Sequence, residues 1–489
     1  MYEILTIKQM YSANKKALQH ELSNFTLMNN AGHGAAEKIL NYSSKCNVLI
    51  LCGPGNNGGD GFIIAQKLKK SGWNVRVASL IPLVDYKNDA ARAARAWQGT
   101  TTRLCCNLKI NASDLIIDAL FGIGLSKPLA SPVLEIFKEI TRKKCSVIAI
   151  DIPSGINGDT GEVDPVTLSA ERTLTFCRKK QGHLLLPGRD KCGKISIIDI
   201  GIPDDIILEV TENLYENTPE LWRLDYHPPT SSDHKYTRGH AFIIGGDILT
   251  GASCMAAFSA LRTGAGLATL CCPKDTFGIY ASYNANVMVT PFRSQEELLH
   301  LIKNKKNNVI LIGPGAGRSD PLKKLVLELL KLQRPMVLDA DALSVFQDAP
   351  QLLLNALHKN CVLTPHAGEF DKLFSNSPLS PHKIVRVQNA AKKAGCTIVL
   401  KGSDTLIATP HHATAINTNA PAYLATAGTG DVLAGIILGF LAQKMPPFKA
   451  ACAGVYIHGH IAQKIGFGLI AEDLIPVIPH SIKAAFITP

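Results

Sequence analysis

Short apolar runs alternate with stretches of helical apolar spacing through the first half of the chain. Val48–Gly53 (VLILCG), Asn74–Leu80 (NVRVASL), Leu115–Gly122 (LIIDALFG), Ser146–Gly155 (SVIAIDIPSG), Thr173–Arg178 (TLTFCR) and Ile195–Pro203 (ISIIDIGIP) read as buried strands, because their apolar residues run on rather than alternate. Between them GFIIAQKLKKSG, from Gly61, keeps the i, i+4 spacing of a helix. Strand, helix, strand in that order predicts an α/β fold with a doubly wound parallel sheet of Rossmann-like kind. A second series follows: Ala241–Leu267, Asn308–Gly317, Pro335–Leu343, Cys361–Phe370, Thr397–Leu406 and Ala425–Gln443. Between the two series, Thr218–His240 holds a Pro-Pro pair, Ser and Thr and no sustained apolar period, so a linker is expected there. The expected domains are 1–217 and 226–489. At 489 residues two cores are needed in any case.

Polar residues punctuate the strand ends. GPGNNGGDG, Gly53 to Gly61, reads as a loop at a strand's carboxyl end, where ligands bind in such sheets and where glycine lets amides approach an anion. Its spacing fits neither G-x-G-x-x-G nor the G-K-[ST] phosphate loop. The third strand ends in Asp118 and then Gly122-Ile123-Gly124-Leu125-Ser126-Lys127-Pro128, the fourth in Asp151-Ile-Pro-Ser154-Gly155. The three strand tips, expected to face one crevice, bring two aspartates, an asparagine and a serine hydroxyl together as hard oxygen donors for an alkali or alkaline-earth cation, although Asp118 and Asp151 taken singly are equally good turn caps. A carboxylate at such an edge, Asp118 included, is expected to carry little packing. In the second half Ala427–Gly430 is a glycine turn opening into an apolar helix, a natural place for phosphate charge. Asp431 there serves either as a helix cap or as a base, and the neighbouring Lys401 favours the base.

Composition narrows the classes. No apolar run approaches the ~18 residues of a membrane span, and the start lacks an apolar signal region, so no membrane or secretion is expected. The 13 cysteines show no C-x-x-C, which suits a reducing cytoplasm. A net charge of +11 raises nucleic acid, but the basic residues are dispersed and aromatics make up only 6%. General attraction for anionic ligands is the better reading, and most of the excess lies after Tyr226.

The motifs GPGNNGGDG, DALFGIG and DIPSG, with LMNNAG at Leu27–Gly32, resemble the N-terminal epimerase domain of bacterial bifunctional NAD(P)H-hydrate repair enzymes. The resemblance implies that Asn56, Asn57, Gly58, Gly59, Asp60 and Gly122 to Pro128 hold the damaged dinucleotide. It implies Asp151 at the reacting ring and K⁺ bound by Asn57, Asp118 and Ser154. Lys180 stands where that family often has a lysine; a solvated surface lysine is the other reading. GGD..TGA, GPGAG, TPHAGE, KGSDT and LATAGTGDVLAGII resemble the ribokinase-like NAD(P)H-hydrate dehydratases. Carried over, Ala252, Gly317 and His366 line the hydrated-nicotinamide site, Lys401, Gly402, Ser403, Asp404, Thr405 and Gly430 hold the adenine nucleotide, and Asp431 is the catalytic base, with Mg²⁺ and ADP as implied cofactor and co-substrate. His366 alone reads as readily as a hydrogen-bonded core histidine. Two departures, Ala285-Asn286 for Pro-Glu and Ala316 for Leu, bear on the shape of that pocket. The expected partners are small molecules, with no nucleic acid and self-association as a homo-oligomer. Two rival readings are a kinase for a hydroxymethyl-bearing vitamin precursor and, for the first half, a non-catalytic nucleotide- or RNA-binding module.

Overall fold

The computed structural model describes residues 2–20, 22–125, 127–304, 308–375 and 382–487. Two compact units divide the chain between Glu212 and Asn213. In the first, a seven-stranded parallel sheet is formed by β1 (Asn47–Cys52), β2 (Asn74–Ser79), β3 (Thr101–Arg103), β4 (Leu115–Ala119), β5 (Val147–Ile150), β6 (Arg172–Phe176) and β7 (Lys194–Ile198). Their order across the sheet is β3-β2-β1-β4-β5-β6-β7, so the winding reverses between β1 and β4. That reversal opens a crevice at the carboxyl ends. The central strands are buried on both faces, which is why their apolar runs are continuous.

The turn after β1 is shorter than the sequence suggests. Only Gly53–Gly55 is loop; Asn56–Asp60 form the first turns of helix α1 (Asn56–Lys70). The turn is tight because Gly53 donates its amide to Ala119 O at 3.0 Å, and an ideal Cβ on Gly53 would sit 1.7 Å from Leu120 O. A glycine is needed there to bring β1 and β4 together at the crevice.

The second unit holds a ten-stranded sheet: β8 (Leu214–Glu216), β9 (His240–Ile244), β10 (Leu267–Pro273), β11 (Met288–Phe292), β12 (Asn308–Ile312), β13 (Met336–Leu338), β14 (Cys361–Leu363), β15 (Thr397–Leu400), β16 (Leu406–Ala408) and β17 (Thr414–Ile416). Their order is β8-β17-β16-β15-β14-β13-β12-β9-β10-β11, all pairings being parallel except those of β16. Pro291, which has no N–H to give, lies in the edge strand β11. The units divide a few residues before the expected boundary at 217, and part of the stretch 218–240 is built into the second unit. Strand β8 pairs with β17, and Leu221, Trp222 and Tyr226 are core residues of the second unit; only residues 227–237 are exposed throughout. Pro-Pro and Ser-Thr content marked the exposed stretch, while a lone Trp carries no period to mark the buried one.

Four helices matter to the second site: α2 (Thr250–Thr263), α3 (Ala367–Leu373), α4 (Thr429–Ala442) and α5 (Pro447–Ile465). Helix α4 is buried from Val432 to Ala442 and packs on α2 through small residues. An added Cβ on Gly435 would meet Ala256 O at 2.2 Å, and one on Gly439 would meet Thr263 Cβ at 2.6 Å. Gly435→Ala should therefore overpack this seam and lower stability by about 1–3 kcal/mol. Gly278→Ala, in a helix where nothing lies within 4 Å, should be neutral or stabilising. Urea midpoints of the two variants check the pair.

Candidate active sites

In the first unit a cavity of ≈ 670 Å³ opens where the sheet reverses. Asn56, Asn57 and Asp60 line it from α1, whereas Gly58 and Gly59 turn away as packing surfaces. An ideal Cβ on Gly58 would be 1.8 Å from Gly53 O, and one on Gly59 would meet the Met28 thioether at 2.7 Å. From the turn after β4, Gly122 to Leu125, Lys127 and Pro128 complete the opposite wall. Ser126 lies outside the described residues. Asp151 and Lys180 form the floor.

Asp151 sits at the tip of β5 with φ +64°, in the left-handed region that non-glycine residues avoid. Its Oδ1 accepts from Lys180 Nζ at 2.9 Å and Thr175 Oγ1 at 3.1 Å, and Oδ2 accepts from Ile123 N at 3.3 Å. Burial pushes this carboxyl up, but the Lys180 charge and hydrogen bond outweigh it and hold Asp151 below the usual carboxylate range. Asp60, without such a partner, is pushed well above that range by burial and by the charge of Asp151. The cavity thus presents two carboxyls of opposed protonation tendency.

Asp118 and Ser154 are drawn together behind the cavity wall. Asp118 Oδ1 accepts from Ser154 Oγ at 2.6 Å and from Leu120 N at 3.3 Å, and Oδ2 accepts from Ser154 N at 2.8 Å. Ser154 Oγ also accepts from Phe121 N at 2.9 Å. The expectation that Asp118 carries little packing is overturned, for it is completely buried and ties the β4 and β5 turns together. The side-chain oxygen and nitrogen of Asn57 are both buried with no hydrogen-bond partner among the described residues. An unpartnered amide oxygen, a buried carboxylate and a buried hydroxyl are hard oxygen donors of the kind alkali and alkaline-earth cations take. Lys180, read either as a solvated lysine or as a site residue, is 1% exposed and faces the cavity. Thr175 and His183, which touch Asp151, had no signal in the sequence beyond their nearness to Lys180.

In the second unit the expected residues lie after β9, β12, β14, β15 and β17. Ala252 lies in the first turn of α2, half-buried, and Gly317 (φ +73°) donates its amide to Asp341 Oδ2 at 2.9 Å. Ala316 is in the same turn, and Ala285-Asn286 form an exposed turn leading to the outermost strand β11. His366 is no core histidine. It caps α3, its Nδ1 accepting from Gly368 N at 3.0 Å and Glu369 N at 3.3 Å, with its side chain 62% exposed. Its Nε2 lies 3.6 Å from Glu369 Oε1.

Lys401 donates to Asp339 Oδ1 at 2.7 Å, and the same oxygen accepts from Thr364 Oγ1 at 2.8 Å. Its ammonium lies close to Gly430, 3.6 Å from where a Cβ would be. Gly402 and Ser403 are exposed, whereas Asp404 and Thr405 turn inward, Asp404 paired with Lys383 and Thr405 Oγ1 bonded to Gly402 O at 2.7 Å. Helix α4 is capped by Gly428 (φ +88°) without a side-chain bond, and its first backbone bond runs from Val432 N to Gly428 O at 3.1 Å. The preceding amides face out of the helix end. Asp431 is the third residue of α4 and not its cap. Burial first, and then Asp339, push its carboxyl up to about 6, against the opposing pull of Lys401.

These features define a two-unit α/β enzyme, one unit with a carboxylate-floored cavity at a sheet reversal and the other ribokinase-like, with an open helix end beside a raised carboxyl. Residues 24–182 match a family described as YjeF-related protein N-terminus, and residues 241–476 match one described as NAD(P)H-hydrate dehydratase. The bifunctional NAD(P)H-hydrate repair enzyme of Dictyoglomus turgidum is 32% identical over 89% of this chain and 88% of its own, and that of Archaeoglobus fulgidus is 31% identical over 98% of each. Among solved structures, a ribokinase-like superfamily protein of Enterococcus faecalis is 27% identical with a TM-score of 0.50, covering 56% of this chain and 97% of its own. The chain belongs to the family of bifunctional NAD(P)H-hydrate repair enzymes.

The burial of Asp118 sets a stability test. Asp118→Ala takes the acceptor from the amides of Ser154 and Leu120, and from the Ser154 hydroxyl all but the Phe121 carbonyl, and should lower the stability of the N-terminal unit by about 1–3 kcal/mol. Asp118→Asn, which keeps an acceptor for them, should cost less. Denaturant unfolding of the two variants makes the comparison.

Proposed function

We propose that the N-terminal unit interconverts the R and S forms of hydrated NADH and NADPH, and that the C-terminal unit dehydrates the S form at the expense of ADP, releasing AMP and phosphate. The observation that carries the second half is Asp431, a carboxyl with a raised pKa at an open helix end beside Lys401. Hydroxide is a poor leaving group. Asp431 takes the proton of the C6 hydroxyl as its oxygen forms a bond to the terminal phosphorus of ADP and the bond to AMP breaks. The outward amides of Gly428–Gly430 and the Lys401 ammonium meet the phosphate charge. The ring nitrogen's lone pair then expels phosphate, and the iminium left behind gives up a proton from C5 to become NAD(P)H.

Among the described residues no group of three His, Cys, Asp or Glu side chains is arranged to hold a metal. Mg²⁺ in this reading arrives on the nucleotide's phosphates, as is usual for that ion. In the N-terminal unit Asn57, Asp118 and Ser154 would hold K⁺, which would supply positive charge next to the dinucleotide; Asp151 is the proton-transfer group while hydroxyl departs from and returns to C6. The free thiols fit a reducing cytoplasm, and among the described residues no helix is long and apolar enough to cross a membrane. Self-association as a homo-oligomer belongs to the same proposal.

Two outcomes are expected. Asp431→Asn should cut S-epimer loss and AMP release by on the order of 10² to 10⁴ while epimerisation continues, and Asp151→Asn should do the reverse. Incubating each variant with an R/S mixture and ADP, and following each epimer and AMP, decides both; formation of a stable phosphorylated product instead would reveal a kinase. The second outcome concerns pH. A base is active only when ionised, so kcat/KM for dehydration should fall about tenfold per unit below pH about 6 and level off above it. A flat profile from pH 5 to 7 would remove Asp431 from the proton transfer.

A further inference from the structure

Burying an ammonium costs several kcal/mol unless its donors are met, and an apolar replacement for a buried ion pair is often as stable. Lys180 at 1% exposure therefore calls for an explanation other than stability. Its Nζ donates to Asp151 Oδ1 at 2.9 Å, Thr175 Oγ1 at 3.0 Å and Phe176 O at 3.0 Å, so all three protons are placed. Thr175 Oγ1 hands its own proton to the same Asp151 Oδ1 at 3.1 Å. The other oxygen, Oδ2, looks toward the cavity: a Cβ on Gly122, in the wall, would be 3.0 Å from it.

The same short segment also grips the backbone of Asp151. His183 is completely buried; its Nδ1 accepts from Lys180 N at 2.9 Å, so Nε2 carries the proton and donates to Asp151 O at 2.8 Å. Burial holds the His183 pKa down to about 4, which keeps this direction fixed at ordinary pH. Residues 180–183 thus hold one residue at both ends, the carboxylate by an ammonium and the carbonyl by an imidazole, across a φ of +64° that costs on the order of 1 kcal/mol or more.

Resting on the assignment of Asp151 to epimerisation, we propose that Lys180 is a positioning residue for that reaction: it pins Oδ1 of Asp151 so that Oδ2 alone is turned to the substrate, with His183 locking the backbone of the same residue. Four titratable groups bear on that carboxylate, namely Asp60 from α1, Tyr11 from the helix Ile7–Ala17, and Lys180 and His183 from the segment after β6. Of these only Lys180 bonds to the carboxylate.

The test uses the full chain in saturating K⁺ without ADP, starting from the pure S epimer and following R by chromatography. Lys180→Ala should lower kcat by on the order of 10² while KM changes by less than about threefold, because the loss falls on the reacting geometry and not on binding. Lys180 faces the cavity, so ethylammonium in solution should restore at least about tenfold of the lost rate in this variant and none in wild type or Asp151→Asn. An unchanged kcat, a loss carried by KM, or no response to the amine would overturn the proposal. If Lys180→Ala does not fold, Thr175→Val carries the test. It removes one bond to Oδ1 and no charge, and should lower kcat severalfold at constant KM; wild-type kcat would refute the pinning of Oδ1. Asp151→Asn separates the two layers. Full epimerisation in Asp151→Asn sinks the assignment of Asp151 itself, whereas an inactive Asp151→Asn beside a fully active Lys180→Ala sinks only the role given to Lys180.

Discussion

A lysine ammonium buried against an aspartate at the carboxyl edge of a parallel sheet recurs in both units, as Lys180 with Asp151 and as Lys401 with Asp339. Each pair draws its members from different strand ends, so it forms only when the sheet is correctly assembled. The desolvation cost is met by further donors, Thr175 and Ile123 in one case and Thr364 in the other. The two pairs differ in what they do to the chemistry. In the first unit the paired carboxylate is itself the proposed reacting group, and the ammonium keeps it charged. In the second the pair stands beside Asp431, the proposed base, where burial and then Asp339 raise the carboxyl and Lys401 tempers the rise, to about 6.

Much of the sheet architecture was legible because buried parallel strands write long apolar runs, and six of the seven strands of the first unit follow such runs. The remaining one, Thr101–Arg103, is an exposed edge with no apolar signature. The turn after β1 was misjudged for a related reason. Asn-Asn-Gly-Gly-Asp has poor helix propensity, yet it forms the start of α1 because Gly58 can slip under Gly53 O, a tertiary contact that propensity does not contain. The candidate site was legible as motifs and less so as energetics. Asp118 is named by its position at a strand end, but its complete burial follows from Ser154 folding back on it from another strand. Lys180 and His183 reach Asp151 from beyond β6, and no local pattern announces a lysine turned inward.

Small residues do quiet mechanical duty in the second unit. Where α4 crosses α2, Gly435 and Gly439 let one helix rest on the backbone of the other, and Gly428 is closed in by Met255 and Ala471. Backbone lying on backbone has no rotamers to explore. The helix end that faces outward at Thr429 and Gly430 is consequently anchored to the interior like the fixed jaw of a vice. In the proposed reaction a phosphate arriving there would meet dipoles already oriented, and little rearrangement would remain to be done as charge shifts during transfer. The entropy of ordering that end was surrendered once, when the chain folded, and does not recur with each turnover.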